Sequence, residues 1–165
     1  MRAGRVEFAL ALCATAGAAC GAGDIASRSS APAEGTETVV LTVNHRSEWR
    51  VLWVEGQTDL PDGALVNYRV AHEVGKTSPV EAWPVNNLIA EGRAAVRDGT
   101  YWAKINTLNW PSGQVRVLIQ FPLPPQPPAV EERFGTLGEH LTGDNVTVLD
   151  GMKAIEVEHT LEHRR

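Results

Sequence analysis

From Thr38 onward, apolar and polar positions alternate with a period of two, and Gly, Pro, Asp and Asn break the alternation at short intervals. Thr38–Asn44 (TVVLTVN) opens the pattern as a β-rich run. Trp49–Val54 (WRVLWV) is apolar at nearly every position, as in a strand covered on both faces. Leu65–Val74 places Val66, Tyr68, Val70, His72 and Val74 on one face and Asn67, Arg69, Ala71 and Glu73 on the other. Thr100–Leu108 alternates Tyr101, Ala103 and Ile105 against Thr100, Trp102 and Lys104. Gln114–Phe121 sets Val115, Val117, Ile119 and Phe121 opposite Arg116, Leu118 and Gln120. Asp98-Gly99 after Arg93–Val96, and Asp150-Gly151 between Asn145–Leu149 and Lys153–Leu161, are hairpin-turn signals. Gly56–Gly63 and Pro111-Ser112-Gly113 form further breaks. The proline run Pro122–Pro128 cannot continue a ladder and is expected to cross between sheets in an extended polyproline form. Val130–Leu141 is the one expected helix, weakened by Gly135 and Gly138. The pattern predicts an all-β fold: an antiparallel β-sandwich of about seven strands, immunoglobulin-like or transthyretin-like, over residues 38–165. Roughly 130 residues suffice to bury about two-thirds of the unfolded chain's surface.

The first residues carry a different pattern. In MRAGRVEFALALCATAGAAC, Arg2 and Arg5 precede a short apolar core from Phe8 to Ala14, and small residues follow to Ala19. This is the layout of a secretory signal, and the apolar stretch falls far short of the roughly 20 residues that span a bilayer. Residues 1–19 are therefore expected to be a signal peptide. Gly17-Ala18-Ala19-Cys20 resembles the lipobox of bacterial lipoproteins, matching it at Ala18, Ala19 and Cys20 and departing at Gly17, where that family usually carries an aliphatic residue. The resemblance implies lipid attachment at Cys20 and a membrane partner through that anchor. Cleavage after Ala16-Gly17-Ala18 would instead release a soluble protein. Only Cys13 and Cys20 exist, so the mature chain would hold one cysteine and no internal disulfide. Residues 20–37, rich in Gly, Ala, Ser and Pro, read as a flexible tether.

A second resemblance lies in the domain itself. Gly56–Val70 (GQTDLPDGALVNYRV), Arg97-Asp98-Gly99-Thr100, Trp110-Pro111-Ser112-Gly113-Gln114-Val115, Phe134-Gly135 and Gly138-Glu139 are similar to a loosely defined group of bacterial exported β-sandwich domains, often on lipoproteins. That group shares a G-x-T-x-L-P-D-G opening and a W-x-x-G turn. These are turn motifs, so the resemblance implies a fold and lends no functional residue.

Charge and side-chain chemistry narrow the function. A formal charge of −5 without a basic cluster is a poor match to nucleic acid or to anionic head groups. There is no G-x-S-x-G elbow, and His45 and Ser47 are no triad. Glu131-Glu132 and Asp59/Asp62 are acids of the kind normally solvated at a surface. Asp59, Asp62, Asp98, Asp144 and Asp150 sit in Gly-bearing turns and lack calcium-loop spacing. His159 and His163, four apart, could share a metal, but at the chain end a surface tail is the preferred reading. No catalytic, cofactor or metal residue is therefore expected. Trp49 and Trp53 are expected to share a strand face and fill the core. Trp83, Trp102 and Trp110 are the candidates for stacking on a sugar or a peptide. The expected protein is an exported, lipid-anchored, non-enzymatic interaction or structural module of the cell envelope whose partner is an envelope protein or a glycan. The alternatives are a carbohydrate-binding module and, less favoured, a metal-dependent or hydrolytic enzyme, which a concave pocket with converging His and acidic groups would mark.

Overall fold

The structure is a computed structural model that describes residues 35–84 and 87–164. The expected signal peptide, Cys20 and the tether up to residue 34 lie outside the described residues.

Eight strands, β1 (Asn44–Glu48), β2 (Val51–Gln57), β3 (Leu65–His72), β4 (Ile89–Ala95), β5 (Thr100–Asn106), β6 (Gly113–Phe121), β7 (Val146–Leu149) and β8 (Met152–His163), are present among the described residues. They form two antiparallel sheets, β1-β2-β5 and β4-β3-β6-β8-β7. This is the expected all-β sandwich, with one strand more than anticipated. Two short α-helices, α1 (Glu73–Thr77) and α2 (Pro128–Phe134), and a single 3-10 turn at Val80–Ala82 complete the described elements.

The period-two pattern decides what lies between the sheets. Leu52 and Val54 of β2 and Tyr101, Ala103 and Ile105 of β5 point inward from the small sheet. Val66 and Val70 of β3, Val115, Val117, Ile119 and Phe121 of β6, and Ile155 and Leu161 of β8 meet them from the large one. Each Val, Leu, Ile or Phe among them stabilises the fold by about 1.5–3 kcal/mol relative to exposure. Phe134 of α2 packs edge-on against Phe121, centroids 5.1 Å apart. Gly56 is required where Tyr101 Oη donates to the Thr42 carbonyl, because a Cβ there would stand 2.0 Å from that oxygen.

Both Asp-Gly turns have left-handed φ at each residue, 50° and 68° for Asp98-Gly99 and 48° and 84° for Asp150-Gly151. The second joins β7 to β8 as a true hairpin. The first does not: β4 pairs with β3 and β5 with β2, so the turn carries the chain from one sheet to the other, closed by the Arg97–Thr100 bridge. Asp62 Oδ1 accepts from the Asp98 amide and holds the turn against the β2–β3 connection.

Several expectations need correction. Thr38–Asn44 is not a ladder strand; it makes a single bridge at Leu41–Thr58, after one at Glu37–Leu141 just before it, and pairing starts at Asn44. Trp49 and Trp53 do not fill the core. A turn with Arg50 at φ 67° separates them, so Trp49 stands on the turn at 74% exposure, and inward Leu52 and Val54 force Trp53 outward. Strand β3 stops at His72, whose Nδ1 caps α1 by accepting from the Val74 amide at 3.2 Å, so Val74 is helical. The other helix is shorter than Val130–Leu141 because Gly135, at φ 84°, ends it.

The proline run does not cross between sheets. It leads from β6 through α2 to β7, all on the large sheet's side, with cis peptide bonds at Phe121–Pro122 and Pro124–Pro125. Side chains meet three of its carbonyls, those of Leu123, Pro124 and Pro125, and tie the run to β3 at Leu65. Arg93 donates to the Pro124 and Pro125 oxygens, and Gln126 Nε2 to those of Leu65 and Leu123.

Candidate functional site

The outer face of the small sheet gathers the chemistry the core cannot use. Pairing sets Arg46 of β1 and Lys104 of β5 on either side of Trp53 of β2. The Arg46 guanidinium lies 5.0 Å and the Lys104 Nζ 5.3 Å from the Trp53 ring centre. Such cation–ring contacts are worth about 0.5–1 kcal/mol at an exposed site. Arg46 also pairs with Glu48. Trp102 of β5 leans on Trp53, centroids 5.5 Å apart at 55°, and remains 59% exposed. The Trp53 Nε1 is buried without a hydrogen-bond partner.

Trp102 forms a ridge between two grooves. One, of about 450 Å³, runs toward β4 and is lined by Tyr68, Arg93, Arg97, Thr100, Trp102 and Lys104, three cations with no carboxylate among them. The other, of about 380 Å³, has Asn44, Glu55, Gln57 and Thr100 in its walls. An exposed indole flanked by polar grooves can stack on a flat ligand and hydrogen-bond its edge.

The three tryptophans singled out from sequence do not come together. Trp102 is exposed, Trp110 is 3% exposed, and Trp83 packs against the core with its Nε1 donating to the Ser78 carbonyl at 2.9 Å. Trp110 instead sits edge-on to two buried histidines, 6.1 Å from His72 and 6.3 Å from His163. Gly113 makes room for His72, since a Cβ there would stand 3.1 Å from the ring. With Nδ1 accepting from Val74, His72 carries its proton on Nε2 and donates it to the Pro111 carbonyl. His163 has neither ring nitrogen partnered and is 2% exposed; burial first, then the nearby His72, hold its imidazole below the ordinary value.

His159 and His163 share the inner face of β8 but cannot share a metal. Four residues along a strand span about 13 Å, against metal–nitrogen bonds of about 2 Å. His159 meets a residue the sequence did not connect with it: its Nε2 lies 2.9 Å from Nδ1 of His45 on β1. Burial, and secondarily His159, lower the His45 imidazole below its usual value. The turn acids serve the backbone, Asp59 accepting from the Val40 amide and Asp62 from that of Asp98, while Glu131 Oε1 accepts from the Gln126 amide. Among the described residues no three His, Cys, Asp or Glu side chains gather as a metal cage, and no helix is long and apolar enough to cross a membrane. Comparison with known families, curated proteins and solved structures finds no match to this chain.

Proposed function

We propose that the protein is an exported lipoprotein, anchored to the membrane through Cys20, that displays its sandwich as a non-enzymatic interaction or structural module of the cell envelope. The observation that carries the display is the order of segments in the sequence: a basic start, a short apolar core, small residues ending in Ala18-Ala19-Cys20, and a Gly/Ser/Pro tether before the first strand. The interaction role is supported by the outward aromatic and cationic face built from Arg46, Trp53, Trp102 and Lys104. Growth with a clickable fatty acid should label the wild-type chain and leave it in the membrane fraction. Cys20→Ser should be unlabelled and soluble. An unlabelled wild type overturns the anchor.

The exposure of Trp102 between two polar grooves favours a second reading, a carbohydrate-binding module. Trp83 and Trp110 take no part in it, being engaged with the interior. Polysaccharide fragments should then shift the intrinsic fluorescence. Trp102→Ala should weaken binding at least tenfold, the equivalent of about 1.4 kcal/mol. A flat titration of the wild type across neutral and acidic fragments removes this reading and leaves a protein partner for the same face.

A further inference from the structure

We propose that His45 and His159 form a two-imidazole site for a divalent transition metal of the Zn²⁺, Ni²⁺ or Cu²⁺ class, clipping the edge strand of the small sheet to the large one. The two residues stand 114 positions apart in the chain and on different sheets, yet His45 Nδ1 and His159 Nε2 approach to 2.9 Å. Parity brings them together. Arg46 and Glu48 of β1 face outward with Trp53 and Val51, which turns His45 toward the opposite sheet. On β8, His159 lies in register with Val117 and on the same face as Leu161 and Ile155, which turns it toward the small sheet.

An N–H···N contact between the two rings holds one proton where a metal ion could sit. Metal–nitrogen bonds of about 2.0–2.1 Å put two ligands of one tetrahedral ion about 3.3 Å apart, so the nitrogens need to separate by only about half an ångström. His45 is exposed on an edge strand and can supply that movement. Binding requires no change in ligand charge. The proton between the rings moves to the far nitrogen of its own imidazole, and both facing lone pairs become available to the ion. Imidazole donors select Zn²⁺, Ni²⁺ and Cu²⁺ over Mg²⁺ and Ca²⁺, which take oxygen ligands. Two protein donors leave the remaining positions to water, which makes this an open, exchangeable site rather than a structural cage. Because the ligands come from different sheets, an ion bound to both favours the folded state over the unfolded chain.

The test is a titration of the full chain with Zn²⁺, followed at the ring C–H resonances of all five histidines. His45 and His159 should shift together and saturate together, with His72, His140 and His163 unmoved. His45→Ala and His159→Ala should each lower the affinity at that site by tenfold or more and abolish the metal-dependent rise in melting temperature, while His163→Ala keeps both. His45 is a surface residue, so its variant serves even if His159→Ala folds poorly. With Cu²⁺, electron paramagnetic resonance should report coupling to two imidazole nitrogens. Zn²⁺ shifts that omit His45, or equal affinity in His45→Ala, overturn the proposal.

Discussion

Phe121→Ala should lower the unfolding free energy by about 3–5 kcal/mol, the range seen when a buried aromatic ring is removed from a core that cannot collapse around the gap. Phe121 is fully buried at the end of β6, the central strand of the large sheet, in register with Ile155 of β8. Its ring meets that of Phe134 edge-on at 86°, an arrangement worth about 0.5–1.5 kcal/mol beyond the area both bury. Phe134, with Val130, is where α2 reaches the core, since the helix is too short to hold itself by backbone bonds alone. Loss of the ring therefore removes both a piece of core and the seat of the helix. Urea denaturation measures it, and a double-mutant cycle with Phe134→Ala should show coupling between the two. A loss below about 1 kcal/mol would mean that α2 is not seated as described.

The period-two stretches were legible because a sheet with one wet face leaves its mark on every second residue. Gln114–Phe121 and Thr100–Leu108 place the buried and exposed residues of β6 and β5 correctly, down to the exposure of Trp102 opposite Tyr101. What misled was continuity. WRVLWV is apolar except at Arg50 and holds no Gly or Pro, which reads as one strand carrying Trp49 and Trp53, yet Arg50 adopts a left-handed φ and a turn falls inside the run. Likewise Leu65–Val74 keeps its alternation past His72, and only the side chain of His72 as a cap ends the strand. The Asp98-Gly99 dipeptide identifies a turn but not the partners of the strands it joins, which depend on long-range pairing.

The candidate site was less legible, for the same reason. Trp102 could be placed by parity within one strand. Trp110, beside a proline in a Gly-bearing segment, carried no sign that its indole turns inward between His72 and His163. The meeting of His45 and His159 depends on which strand of one sheet lies over which strand of the other. No periodicity within a segment encodes that.

Acid should destabilise the fold in a window to which His163 and His45 both contribute, His163 from the interior. The ordinary value of His163 in the unfolded chain is 6.5, and burial, then the proximity of His72, lower it in the folded state. The unfolded chain therefore binds a proton that the folded chain resists, so stability is full above about pH 6.5 and falls as pH drops from there toward the depressed folded value. The surroundings offer no relief. His72 of β3 and Trp110 face the ring, and the cavity of about 400 Å³ beside it is lined by Trp49, Arg50, Thr107, Leu108, Asn109 and Arg164, with no carboxylate side chain among these described residues. Glu162 projects from the opposite face of β8. His163→Leu should remove its share of this slope and leave that of His45, whose imidazole is lowered as well. At pH 7 it should cost little or stabilise, because it replaces two unpartnered buried nitrogens with apolar atoms of similar bulk. Urea midpoints between pH 7 and 5, above the range where ordinary carboxylates titrate, should fall more steeply in the wild type than in the variant. Parallel slopes would show that the His163 ring is solvated in the folded chain rather than enclosed with Trp110.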